Sequence, residues 1–263
     1  MPSIAILTRP DGRNEPLAHG LATAGWRTLI LPALALQPLP IAAADLPLPQ
    51  DFDLVVFVSG YAARAYLTQL AELAGQAQWP VAVPTATVGA ASARALRDLP
   101  GFGINTTVFS PPLDAPTHDS EALWQVLQAQ SRLPARVLLV RSTHGRDWLG
   151  EQFEAAGVCV QRHAAYQREA ADWLPDTVQQ LQNWAQQGEK VTWLLTSGEG
   201  LAAIASRIRA AGLTDWWRAS DFIVTHPTLV HRLRQAGGGT SETSMVKTCL
   251  PDNDAILAAF VAA

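Results

Sequence analysis

Cysteine is nearly absent from this chain: Cys159 and Cys249 are the only two in 263 residues. Two lone thiols make neither a disulfide framework nor a metal site of the usual paired spacing, and each reads as a buried or partly buried thiol. No apolar stretch reaches the roughly 18 residues that a membrane span requires. A basic segment followed by an apolar one is missing at the N-terminus, so a secretory signal is not expected and the cytoplasm is. Positive charge is scarce too. The net charge is −4 and no basic run could neutralise a phosphate backbone, which argues against nucleic acid as a partner. Charged residues make up 16 % and hydrophobic ones 48 %, a globular balance with room for two domains of ordinary size.

The usual catalytic signatures are missing as well. There is no GxxxxGK[ST] phosphate loop, and no GxGxxG follows the first apolar run. Ser197 sits in Leu-Thr-Ser-Gly-Glu, so it is not the serine of a GxSxG elbow. The histidines are scattered with no HExxH pair, and no metal site is expected.

What the chain does contain is a repeat. Residues 5–25, AILTRPDGRNEPLAHGLATAG, are echoed at 137–157 by VLLVRSTHGRDWLGEQFEAAG. Both are an apolar run, an Arg, a polar loop with Gly-Arg, and an amphipathic stretch ending in Ala-Gly. VFVSGYAARAYL at 56–67 pairs in the same way with WLLTSGEGLAAI at 193–204, and VGAASARAL at 88–96 more loosely with VTHPTLVHRL at 224–233. Two copies are too few for a solenoid; they fit two similar α/β domains.

Continuous apolar runs predict strands at 4–7, 28–31, 54–58, 85–88, 137–140, 158–161, 191–195 and 222–224. Runs without alternation suit parallel strands covered on both faces. Helical spacing lies between them, with Leu17 and Leu21, Ala62 and Tyr66, and Leu149 and Phe153 on common faces. Gly25 and Gly157 stand where helix C-caps need a left-handed residue. Strand alternating with helix means βαβ units with right-handed crossovers. Residues 31–50 carry five prolines and read as a connector without regular structure. Residues 166–175 read as a second, polar connector, and 237–248 as a Gly/Ser/Thr-rich loop before a final helix from Asp252. If both connectors cross between domains, one domain is discontinuous, 1–36 plus 167–263, and the other is 37–166.

In open parallel sheets ligands bind beyond the carboxyl ends of the strands. The repeated loops all fall there: Thr8-Arg9-Pro10, Ser59-Gly60-Tyr61, Gly89 to Ser92, Arg141-Ser142, Thr196-Ser197-Gly198 and Thr225-His226. They offer hydroxyls, unencumbered backbone N–H groups and helix N-termini, which is anion-binding chemistry. Helix capping alone would explain any one of these loops; six of the same character favour a shared anionic ligand. A non-catalytic anion-binding or sensor module would share them.

Taken in order, ILTRP, DLVVFVSGYAARAYL, VGAASARAL, HDSEAL, VLLVRSTHGRDWLGEQFEAAGVCV with Tyr166 after it, LLTSGEGL and IVTHPTLVHRLRQAG resemble the uroporphyrinogen-III synthase family over nearly the whole chain. The resemblance implies two Rossmann-like or flavodoxin-like parallel-sheet domains joined by two linkers, with a cleft between them. It implies closure of linear hydroxymethylbilane to uroporphyrinogen III with loss of water and inversion of ring D, a step of haem biosynthesis. Cofactor and metal are implied to be unnecessary. The chain is expected to act as a monomer, to bind the linear tetrapyrrole and to receive it from the preceding deaminase. Tyr166 matches the family tyrosine that can hydrogen-bond the departing hydroxyl. Thr8, Arg9, Ser59, Gly60, Tyr61, Gly89, Ser92, Arg141, Ser142, Thr196, Ser197, Gly198, Thr225 and His226 are the expected substrate contacts. The pyrroles supply the electrons, so the protein's task is to hold and fold the substrate.

Overall fold

The longest apolar runs become the centres of two parallel sheets, because a strand covered by helices on both faces has no solvent side on which to alternate. The computed structural model describes residues 3–10, 12–103, 105–112, 114–115, 117 and 119–262. Contacts divide the chain into two units, Met1–Leu36 with Glu169–Ala263, and Gln37–Arg168. The first unit begins with β1 (Ile4–Leu7), α1 (Glu15–Thr23) and β2 (Arg27–Ile30), and the chain leaves it along β3 (Leu34–Pro38). The second unit holds β4 (Leu54–Phe57), α2 (Gly60–Leu73), β5 (Thr85–Thr87), α3 (Ala90–Arg97), β6 (Val108–Phe109), α4 (Ser120–Gln128), β7 (Arg136–Ser142) and α5 (Trp148–Ala155). Its last strand, β8 (Cys159–Ala170), leads back. The first unit then continues with α6 (Pro175–Gln186), β9 (Val191–Leu195), α7 (Gly198–Ala210), α8 (Thr214–Ala219), β10 (Asp221–Val224), α9 (Pro227–Gln235), β11 (Val246–Thr248) and α10 (Asn253–Val261).

The strand orders are β2-β1-β9-β10-β11 in the first sheet and β3-β8-β7-β4-β5-β6 in the second. Matching the sequence repeats, β1 with β7, β2 with β8, β9 with β4 and β10 with β5, makes the two orders coincide apart from β3. The copies are therefore exchanged. Each sheet takes its β-α-β start from one copy and the rest from the other. The joint is β1 beside β9 in one sheet (Ile4 opposite Val191) and β7 beside β4 in the other (Val137 opposite Leu54), both parallel.

Burial follows the strand period. In the first unit Ile4, Ile6, Trp193, Leu195 and Phe222 face one core layer, and Ala5, Leu7, Leu194 and Ile223 face the other with Leu17, Leu21 and Phe260. In the second, Leu54, Val56, Val137 and Leu139 pack on Leu123, Trp124 and Phe153. The repeated Ala-Gly ends the same way in both units. Gly25 and Gly157 sit at φ +86° and +79°. Trp26 N–H reaches back to Leu21 O, and Val158 N–H to Phe153 O, which closes a Schellman cap.

Three connector readings are corrected. Residues 31–50 contain β3 and short 3₁₀ turns at Ala43–Asp45 and Pro49–Asp51. β3 is an edge strand ending on Pro38, and only an edge tolerates the missing donor. The stretch from Tyr166 begins inside a strand, since β8 runs to Ala170, and residues 237–248 end in edge strand β11. Among the described residues no helix is long and apolar enough to cross a membrane.

Candidate active site

In the second unit β4 leads outward to β5 and β7 leads the opposite way to β8, so the order reverses between β7 and β4. Loops diverging from such a switch point leave a crevice beyond the carboxyl ends of the strands. A pocket of about 310 Å³ opens there, lined by Val58, Ser59, Val88, Asp119 to Glu121, Arg141, Ser142, His144 to Arg146, Tyr166 and Arg168. A larger hollow of about 440 Å³ lies at the other end of the same sheet, around Asp53, Pro84 and Ala135. Its one carboxylate, on Asp53, already accepts the N–H groups of Ala135 and Arg136. The smaller pocket gathers several hydroxyl, guanidinium and carboxylate groups.

Tyr166 enters the pocket through an irregularity. The pairing of β7 with β8 shifts between Arg141 and Ser142, so that Ser142 lies opposite Tyr166 and Ala165 is passed over. A bulge re-aims the side chains that follow it. Thr143 N–H donates to Tyr166 O at 3.0 Å and fixes the turn. The Tyr166 ring is only 5 % exposed and meets the Tyr61 ring edge-on at 4.9 Å between centroids. Its phenol oxygen lies 3.2 Å from Ser59 Oγ. Burial pushes the Tyr61 phenol above its ordinary pKa, while the Arg64 guanidinium beside that ring opposes the shift.

Charged side chains line the same pocket, and a network of ion pairs extends behind them. Arg141 is held inward by Asp147 and donates to Gly145 O at 2.6 Å. Asp147 also accepts from Arg162 Nε at 2.7 Å, and Arg162 grips both oxygens of Glu154. These bonds hold the Arg162 guanidinium more firmly protonated than usual and Glu154 below the ordinary carboxylate range. Ser142 Oγ donates to His144 O, which also accepts from Arg168 Nη2 at 3.2 Å. Arg146 reaches Glu121 across the pocket, and Glu121 keeps its second oxygen buried with no hydrogen-bond partner among the described residues. Asp119 Oδ1 caps α4 by accepting Ala122 N–H at 2.9 Å.

The first unit has its own switch point between β9 and β1, and there the side chains turn inward. Thr8 Oγ1 donates to Leu194 O. Arg9 is 4 % exposed, donates to Asn253 Oδ1 at 2.8 Å, and leaves Nε and Nη2 buried with no hydrogen-bond partner among the described residues. Burial, then the nearby Arg13, lowers its pKa to about 10. Ser197 caps α7 by accepting Gly200 N–H at 3.0 Å, and His226 Nδ1 caps α9 by accepting Thr228 N–H at 3.2 Å. Thr225 Oγ1 donates to Thr196 O at 3.4 Å. A Cβ on Gly198 would run into the Arg232 guanidinium, so Arg232 stands directly over the start of α7.

Of the expected contacts, Ser59, Arg141, Ser142 and Tyr166 line the one pocket, with Tyr61 packed against Tyr166. Gly60 opens α2, Gly89 caps α3 and Ser92 lies in its first turn, half-buried. Thr8, Arg9, Thr196, Ser197, Gly198, Thr225 and His226 belong to the first unit. Sequence reasoning did not single out Asp119, Glu121, His144, Arg146, Arg168 or Arg232. Asp119 and Glu121 stood within HDSEAL and His144 and Arg146 within RSTHGRDW, but nothing local says that the two segments meet. His118 of HDSEAL lies outside the described residues.

The family model described as uroporphyrinogen-III synthase HemD matches residues 15–246. The uroporphyrinogen-III synthase of Salmonella typhimurium is 30 % identical over 257 residues, covering 97 % of this chain and 98 % of that protein. The enzyme of that name from Escherichia coli is 28 % identical over 258 residues, with the same coverage. A crystal structure of uroporphyrinogen-III synthetase from Helicobacter pylori aligns over 100 % of this chain and 99 % of its own, with a TM-score of 0.61 at 15 % identity. A mutant uroporphyrinogen III synthase from Thermus thermophilus gives 0.53 at 16 % identity, over 98 % and 97 %. The last two speak to the fold.

Proposed function

The chain belongs to the uroporphyrinogen-III synthase family, and from that premise we propose how its own residues carry the family's reaction, the cyclisation of hydroxymethylbilane to uroporphyrinogen III with loss of water. The reaction begins when the hydroxyl leaves the ring A hydroxymethyl group and an electrophilic azafulvene forms. Ring D attacks it through its substituted α-carbon, and the spiro-pyrrolenine fragments and recloses with the ring inverted. Fragmentation breaks the bond from that substituted carbon to its original bridging methylene, reclosure forms the new bond at the unsubstituted α-carbon of ring D, and the proton this carbon releases balances the departed hydroxide as water. Since the substrate supplies the electrons, the protein contributes position and electrostatics.

The observation that carries this reading is the Tyr166 phenol, brought by a strand bulge into a pocket lined by Arg141, Arg146 and Arg168. A phenol O–H donating to the leaving oxygen stabilises the negative charge that develops there. The substrate carries eight carboxylates. Arg146, Arg168 and the N-termini of α2, α3 and α4 are suited to hold some of them. Hand-over from the preceding deaminase, action as a monomer and a cytoplasmic location belong to the same reading.

The test is a coupled assay in which porphobilinogen and the deaminase generate the bilane and chromatography separates isomers I and III. Left alone, the bilane closes without inversion. An excess of isomer III that scales with added protein supports the reading, and isomer I alone refutes it.

A further inference from the structure

Ser59 has more bonding to do than a helix cap requires. Its Oγ accepts Ala62 N–H at 3.1 Å, which caps α2, and lies 3.2 Å from the Tyr166 phenol oxygen. A hydroxyl has one proton and two lone pairs. One lone pair is used by Ala62, so the contact to Tyr166 runs one of two ways. If Tyr166 donates, its proton points at Ser59 and away from any ligand. If Ser59 donates, Tyr166 accepts and its own proton is left for a third atom.

We propose that Ser59 is a positioning residue for Tyr166, donating its proton to the phenol oxygen so that the phenol O–H is directed at the leaving hydroxyl of the substrate. This rests on the reading of Tyr166 given above. The line of donors then runs Ala62 N–H to Ser59 Oγ–H to Tyr166 Oη–H to the departing oxygen. Each bond in such a line polarises the next, and the strongest effect falls where negative charge develops. Backbone geometry holds the start of the line, since Ser59 has the extended conformation of an N-cap (φ −161°, ψ 160°) and Ala62 is in the first turn of α2. The end is held by packing, because the phenol ring is buried against Tyr61. The repeat sharpens the assignment. Ser197, the counterpart of Ser59, also caps its helix, through Gly200 N–H, and among the described residues that cap is its only side-chain hydrogen bond. Capping is thus the duty common to both serines, and the Tyr166 contact is an addition in one.

The experiment compares Ser59→Ala, Ser59→Thr, Tyr166→Phe and the double variant Ser59→Ala/Tyr166→Phe in single-turnover formation of isomer III, with KM and Tm measured alongside. Ser59→Ala removes both the cap and the donor and lowers Tm modestly; Ser59→Thr keeps both. The expected result is a fall in kcat of about tenfold for Ser59→Ala with little change in KM. Ser59→Thr stays within about twofold of wild type, and the double variant is no slower than Tyr166→Phe alone, because two groups acting through one bond are not additive. A double variant slower than Tyr166→Phe by the full Ser59→Ala factor overturns the proposal, as does a Ser59→Ala effect confined to KM. Full activity in Ser59→Ala beside a slow Tyr166→Phe overturns the role of Ser59 and leaves that of Tyr166 standing. Full activity in Tyr166→Phe overturns both.

Discussion

Replacing Tyr166 with Phe deletes one oxygen and keeps the ring, so it separates chemistry from packing. The structural cost follows from the contacts. The edge-on contact with Tyr61 at 4.9 Å survives, as does the main-chain bond from Thr143. What is lost is the bond to Ser59, and Ser59 keeps Ala62 N–H as a partner. One neutral hydrogen bond contributes about 1 kcal/mol, which for a protein of this size lowers Tm by roughly 2 to 4 °C. The kinetic cost is larger. A preorganised donor lost from a developing anion costs about 2 to 4 kcal/mol, or two to three orders of magnitude. A water entering the vacated position recovers part of that, so kcat should fall at least about tenfold. The assay is single-turnover formation of isomer III from bilane generated in situ, with thermal unfolding measured on the same preparation. If Tyr166→Phe keeps wild-type kcat while Tyr166→Ala unfolds early, the tyrosine is a packing residue and the reasoning fails.

Arg146, paired across the pocket with Glu121 and with a side chain 62 % exposed, is suited to exchange that partner for a substrate carboxylate. Arg146→Ala should raise KM about three- to tenfold at low ionic strength, less at high salt, and leave kcat nearly unchanged; an unchanged KM at low salt excludes the contact. Arg9→Met should leave KM within about twofold and the fold intact, because a buried guanidinium with one side-chain bond among the described residues exchanges for an apolar chain of similar length at little net cost. A large rise in KM would return Arg9 to the ligand. His163 is buried, bonded to Gln69 at 2.7 Å, and its pKa is lowered by burial from 6.5 to about 4. A base with a depressed pKa stabilises the fold fully above its unfolded value and ceases to do so as pH falls toward the folded one. Wild type should therefore lose roughly 1 to 3 kcal/mol between pH 7 and pH 4 that His163→Gln does not lose, read from urea midpoints; parallel losses would refute it.

Much of the architecture was legible because the repeat carries its own punctuation. Continuous apolar runs give buried parallel strands, and Ala-Gly marks two identical caps, so the element order of both sheets follows from local rules. The elements that escaped are the ones for which local rules give the wrong sign. β3 holds Pro38, which reads as a breaker, but an edge strand ending there needs no donor. β8 beyond Gln161 looks polar, yet His163, Ala165 and Tyr166 are buried in it. The bulge that delivers Tyr166 has no signature at all in RHAAYQ, since it is a property of the pairing with β7. The pocket shows the same limit. Ser59 and Tyr166 are 107 residues apart, and Glu121 meets Arg146 through a crossover whose geometry no local pattern states.

The repeated arginines divide by their place in the loop. Each copy has an Arg at the end of its strand, Arg9 and Arg141, and another in the Gly-Arg that follows, Arg13 and Arg146. The strand-end arginines stood out as anion ligands because their type and position suit that role. In both units they already make bonds within the protein, Arg141 while lining the pocket. Arg9 binds Asn253 at the start of α10, and Arg141 binds Asp147 at the start of α5 and the carbonyl of Gly145. Each ties a strand end to the first residues of a helix, the work of a brace that fixes the loop against the switch point. The second arginine of each pair is then left outside: Arg13 is exposed, and Arg146 meets solvent and Glu121. An exposed arginine on a braced loop can exchange a solvent-exposed partner for a ligand carboxylate, and it presents its fork with the surroundings already in place. The same division in both copies, reached with Asn253 in one and Asp147 in the other, follows from the shared loop geometry rather than from any single partner residue.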